Sequence, residues 1–202
     1  MILNMESISK DKAIKILFQK KISLFNVSDA KKIFRVKKDN TLYKLLERLE
    51  INDVIKRISK SKYLFLLFRE INDFELANFL VTPSYISLES ALSFYGVLPQ
   101  FPYTITSVTS GKSKKVFYQD KEYEFVHLSV KYLISYIKKD NFLIATPEKA
   151  LLDQLYFVAK KLRKIHFEDL DLRIINKKKF KNLTREYKFI PLQKLISKLK
   201  IC

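Results

Sequence analysis

The chain has 202 residues, is 48% hydrophobic and carries one cysteine, Cys202, at its last position; it has ample material for packed cores and none for an internal disulfide framework or a cysteine-based metal site. No apolar run is long enough to span a membrane, no apolar signal segment follows the first residues, and two glycines are too few to build a glycine-rich phosphate loop. The net charge is +18, divided as +9 over residues 1–72, zero over 73–150 and +9 over 151–202; two basic ends around a balanced middle are the pattern of surfaces that meet a polyanion. A reducing, cytoplasmic setting is expected from the cysteine usage.

In chain order, Ser7 or Ser9 caps a first helix with Ala13, Ile14, Leu17 and Phe18 on its apolar side. The chain then extends through Ile22, Leu24 and Phe25. Ser28 is the expected cap of a short second helix over residues 29–34, burying Ala30, Ile33 and Phe34. A basic connection with Arg35, Lys37 and Lys38 follows. Asp39 or Asn40 caps a third helix in which Leu42, Leu45, Leu46 and Leu49 form one apolar stripe. The period then changes. Residues 54–58 read as a strand, Ser59, Lys60 and Ser61 as a turn, and residues 62–67 as a returning strand.

Three short helices closed by a basic hairpin form the pattern of a winged helix-turn-helix, whose third helix enters the major groove while the hairpin lies along the backbone. In that arrangement Asn40, Thr41, Tyr43, Lys44 and Arg48 face bases and phosphates. Lys37 and Lys38 flank them, and Lys56, Arg57, Lys60 and Lys62 line the wing. Phosphate contacts of this kind position a protein without reading sequence. Winged helices also serve as protein-docking modules, which is the competing reading of the same pattern.

Residues 68–73 read as a connector. A short apolar helix with Phe74, Leu76, Ala77 and Leu80 ends before Pro83, and a second runs over residues 88–95, capped by Ser87 and stopped by Gly96. Strands are expected over residues 103–109, 115–119 and 122–128, and residues 130–137 are ambiguous. Residues 142–145 lead into the best-signalled helix of the chain, over residues 147–161. Thr146 caps it, Pro147 takes the first helical position and Glu148 suits the helix dipole. Residues 176–181 are a charge run, and Pro191 opens a last helix with Leu192, Leu195, Ile196 and Leu199 inward. The expected architecture is α+β: a winged helix-turn-helix over residues 1–70, and a mixed domain over 73–202 with a small antiparallel sheet and several helices.

No catalytic constellation stands out, so no enzyme activity, cofactor or metal is expected. His127 and His166 lack partners at metal-ligand spacing. Asp120, Glu122 and Glu124 are close in sequence, as a metal-dependent nuclease would need, yet alternation of Glu122 and Glu124 with Tyr123 and Phe125 is what a half-exposed strand produces. The aromatic residues of the middle segment lack the glycine–aromatic signature of an RNA-binding sheet. Lys149 and Asp153 are an i, i+4 neighbour pair.

Residues 85–117, YISLESALSFYGVLPQFPYTITSVTSGKSKKVF, and residues 144–156, IATPEKALLDQLY, closely resemble the AbiEi family of antitoxin transcriptional regulators. The hairpin segment NDVIKRISKSKYLFL resembles the family's wing, with Ser61 where the family usually has glycine. The resemblance spans roughly residues 10–160. It implies a repressor of its own operon, paired with a toxin of nucleotidyltransferase fold, whose N-terminal domain binds operator repeats in duplex DNA. It also implies a C-terminal domain that supports repression and carries the neutralising activity, with no stable antitoxin–toxin complex required. Glu148, Lys149 and Asp153 lie in the family motif, which implies a neutralising or interface role for them beside the capping and pairing roles above. An orphan regulator without a toxin partner is the alternative.

Overall fold

Two units make up the chain, Met1–Asn72 and Asp73–Cys202, and the computed structural model describes residues 8–199. Ser7 and Cys202 lie outside the described residues.

The first unit begins with helix α1 (Lys10–Gln19), where the Ser9 side chain accepts from the Lys12 N–H. Strand β1 (Leu24–Asn26) runs directly into α2 (Val27–Ile33). The cap of α2 is Asn26, not Ser28. Its side chain accepts from the Asp29 N–H at 2.8 Å while its own N–H donates to the Asp29 carboxylate at 3.2 Å, a reciprocal box that starts the helix two residues early. Helix α3 (Asp39–Ile51) has Lys38 as its cap residue and no side-chain cap bond. Asp39 is drawn instead to Lys31, at 2.7 Å. Strands β2 (Ile55–Ser59) and β3 (Lys62–Phe65) form the hairpin, and β1 joins its far side to give the antiparallel order β1-β3-β2. The sheet therefore has one strand more than the expected hairpin. Between β2 and β3, Ser61 takes φ +64°, the left-handed conformation that glycine adopts freely and an L-residue adopts at a cost of about 1–2 kcal/mol.

Leu17, Phe25, Phe34, Leu42, Leu45, Leu46, Leu49, Ile55 and Phe65 form the first unit's core. Full burial of each such side chain contributes about 1.5–3 kcal/mol. Phe25 stacks on its cross-strand partner Tyr63 with ring centroids 5.8 Å apart, and Phe18 of α1 meets Phe65 of β3 edge to face at 5.1 Å, which ties the hairpin to the helices.

The second unit holds a six-stranded mixed sheet, larger than the small antiparallel sheet expected. Its strands are β4 (Ser84–Ile86), β5 (Ile105–Thr109), β6 (Lys114–Tyr118), β7 (Lys121–His127), β8 (Tyr136–Lys139) and β9 (Phe142–Ala145). The order is β6-β7-β5-β4-β9-β8, with β4–β9 and β5–β7 parallel. Helix α4 (Asp73–Leu80) packs on one face, where the Tyr123 hydroxyl donates to Asp73 at 2.8 Å. The other face carries α5 (Leu88–Phe94) and α6 (Pro147–Ala159), followed by α7 (Lys177–Thr184) and α8 (Ile190–Leu199) against α6.

Gly96 closes α5 with φ +74°. Ser87 precedes α5 but makes no cap bond, because its hydroxyl donates to Asp153. Helix α6 starts as its sequence predicts, with the Thr146 side chain accepting from the Lys149 N–H and Pro147 in the first turn. The ambiguous segment resolves into one 3-10 turn (Val130–Tyr132) and β8, and the charge run belongs to α7, which buries only Phe180 and Thr184.

Candidate nucleic-acid interface

Helix α3 presents two faces of opposite character. Leu42, Leu45, Leu46 and Leu49 are buried, and Asn40, Tyr43, Lys44, Glu47 and Arg48 are exposed on the other side. Tyr43 is 53% exposed. Thr41 is half-buried near the start of the helix, and Lys37 and Lys38 are exposed just before it. This end of α3 carries the partial positive charge of the helix dipole, so phosphate would be favoured here by backbone and side chains together.

The hairpin converges on the same helix. Lys56 and Arg57 are adjacent and exposed on β2, Lys60 is exposed at the turn, and Lys62 is half-buried at the start of β3. Arg57 is the register partner of Tyr63, with the irregularity that follows it shifting the pairing by one residue. Burial pushes the Tyr63 phenol up, and the charge of Arg57 opposes that rise. The charges of Glu50 and Tyr43 on α3 add to that rise, and α3 packs on β2 of the hairpin.

One expected reading residue has a second engagement. The Arg48 guanidinium donates to the Ile8 carbonyl, which binds α3 to the segment preceding α1. That bond occupies one terminal nitrogen of the guanidinium. Glu47 adds a carboxylate to this face, the group that accepts from a cytosine amine in the major groove.

The residues singled out in the second unit have a different fate. Glu148 is 6% exposed, and Lys149 and Asp153 are fully buried. The Lys149 ammonium donates to the Asp153 carboxylate and to the hydroxyls of Tyr85 and Tyr187, both at 3.0 Å. Asp153 accepts further bonds from Tyr85 at 3.0 Å, Ser87 at 2.8 Å and Tyr187 at 3.1 Å. Burial pushes the Lys149 amine down while the Asp153 charge opposes that shift, and burial beside Asp153 pushes both phenols far up. All three ammonium protons are used and both carboxylate oxygens are bonded, so the cluster is closed and joins α6 to β4 and to the connection between α7 and α8. Glu148 accepts from the Asn176 N–H at 3.1 Å, anchoring the start of α7. A docking protein would find no surface of Lys149 or Asp153 to touch, so the expected interface role of these side chains gives way to one inside the domain.

The carboxylates of β7 are likewise engaged. Glu122 pairs with Lys115 at 2.8 Å. Arg163, 15% exposed at its side chain, donates to both oxygens of Glu89 at 2.8 Å and to Glu124. Among the described residues, no helix is long and apolar enough to cross a membrane.

The positions that sequence reasoning missed lie beside the start of α3. Lys12 and Ile16 of α1 and Lys20, the residue that caps its C-terminus, line a cleft together with Arg35, Lys37, Lys38 and Thr41. Their four-residue spacing along α1 was the available signal. No family profile matches the chain, and no curated protein matches its sequence.

Proposed function

We propose that the chain is a cytoplasmic DNA-binding regulator that represses the operon of a toxin–antitoxin pair and acts as the antitoxin against a nucleotidyltransferase-fold toxin. The observation that carries the DNA-binding half is the exposed α3 face, with Lys37 and Lys38 before it and Lys56, Arg57 and Lys60 on the hairpin that meets the same helix. The order of three helices and a hairpin supports a winged helix-turn-helix, with α3 as the reading element. Basic residues on the hairpin and before α3 supply phosphate contacts, and Asn40, Tyr43 and Lys44 supply base contacts. Exposed Lys177, Lys178, Lys179 and Lys181 on α7 offer a second cationic surface for the same polyanion. The toxin–antitoxin half rests on the resemblance of residues 85–117 and 144–156 to the AbiEi family.

The test is an Asn40→Ala/Lys44→Ala variant assayed on duplex DNA from upstream of its own gene and on scrambled duplex. It should lose about 2–4 kcal/mol of preference for the upstream DNA, from two base contacts, while retaining salt-sensitive binding to both. A variant that keeps the parent's preference would remove α3 as the reading element. If the parent binds no duplex at all, the first unit is a protein-docking module.

A further inference from the structure

The first unit contains a cleft of about 750 Å³ between α1 and the connection from α2 to α3. Ile16 and Ile33 are half-buried in its wall, and Val36 is nearly covered. Lys12, Lys20, Arg35, Lys37 and Lys38 line the same cleft, and among the described residues no carboxylate does. Nor, among the described residues, does any of these five cations form an ion pair, although nearby Lys31 is paired with Asp39. Arg35 is held at φ +53°, in the left-handed region where glycine usually ends a helix.

The lining has two chemistries, and a phosphate backbone uses only one of them. DNA would contact Lys37, Lys38 and Thr41 and leave Ile16 and Ile33 against water. A molecule with an apolar body and an anionic head satisfies both. The volume is that of a site for one organic ligand, within the usual range of about 300–1,000 Å³.

We propose that this cleft binds a small amphipathic organic anion, an acyl or aryl chain ending in a carboxylate, and that the bound anion displaces DNA by occupying Lys37 and Lys38. The displacement rests on the DNA-binding reading above; the ligand site does not. The anion is then an inducer. Its head takes cations from the phosphate backbone, and its body covers the isoleucines that DNA leaves exposed.

The test uses the full chain and decanoate as the probe, with decanol and acetate as its uncharged and headgroup-only counterparts. An NMR titration should show saturable shifts at Ile16, Ile33 and Val36 for decanoate, with the two counterparts weaker by about tenfold or more. Ile16→Trp should fill the cleft and abolish the shifts. Lys12→Gln/Lys20→Gln, at two exposed positions, should weaken decanoate about tenfold and leave decanol unchanged. Non-saturable shifts, shifts centred elsewhere or equal binding of decanol would overturn the site. In the DNA assay, saturating decanoate should weaken binding of the parent to its upstream duplex by about tenfold or more and leave Ile16→Trp unaffected. A parent that prefers its upstream duplex yet ignores bound decanoate overturns the displacement alone. A parent with no preference for that duplex overturns the DNA-binding reading, and the titration still decides the site.

Discussion

Replacing Lys149 by methionine should destabilise the second unit by about 3–5 kcal/mol, the cost of leaving a buried charge without its partner. Methionine keeps most of the volume of the lysine stem, so packing is nearly preserved and the missing ammonium dominates. The Asp153 carboxylate would stay at zero exposure, with only Tyr85, Ser87 and Tyr187 to solvate it. Tyr85 and Tyr187 would also lose the donor that now bonds their hydroxyl oxygens. For a unit of this size the loss corresponds to a fall of about 10–20 °C in its melting temperature. The assay is thermal and urea unfolding of the full chain, with Asp153→Leu and the double variant alongside. Because the two residues act as one pair, the double variant should cost no more than the larger single loss, well short of the sum expected for independent sites. A Lys149→Met variant within about 1 kcal/mol of the parent would refute the reasoning.

Three other outcomes follow from local geometry. Ser61→Gly should raise the urea midpoint of the first unit by an equivalent of about 0.5–1 kcal/mol, since it relieves a left-handed serine at the price of extra chain entropy; a lower midpoint would contradict this. Arg163→Ala should cost the second unit about 2–3 kcal/mol in urea unfolding, because Glu89 and Glu124 lose a largely buried common partner. The Asp171 carboxyl, which accepts from the Arg173 side chain and N–H, should titrate by NMR near its lowered value of about 2. Its folded value lies below the unfolded one, so its contribution is present above about pH 4 and disappears as pH falls through 2.

Elements whose signals are local were legible in the sequence. Helix α6 has a capping threonine, a proline in the first turn and an apolar period in one stretch, and it forms where these place it. The leucine stripe of α3 fixes its buried face in the same way. Strand β4 was illegible because its three residues are all buried and show no alternation. Strand β8 was illegible for the opposite reason, being exposed throughout. Helix α7 read as a charge run because only Phe180 and Thr184 turn inward.

Asn26 was passed over as a cap because Ser28 is as good a capping residue, and only the Asp29 partnership decides between them. The buried pair shows where local reasoning stops. Lys149 and Asp153 have the spacing of a surface ion pair, but α5, α7, α8 and β9 all pack on α6, so every residue from Glu148 to Phe157 is buried and no solvent face is left. Their other partners, Tyr85, Ser87 and Tyr187, come from segments far away in the chain.

The central claim is that the first unit reads a specific duplex through α3 and holds it through cations around that helix. The most direct measurement is the affinity of the full chain for DNA from just upstream of its own gene, against scrambled DNA of equal length, over a salt series. The account predicts a preference of about a thousandfold or more for the upstream duplex. It also predicts an affinity that falls steeply with salt, in proportion to the phosphates contacted. Equal, salt-sensitive binding to both duplexes would contradict it and reduce the charge of +18 to a non-specific footprint.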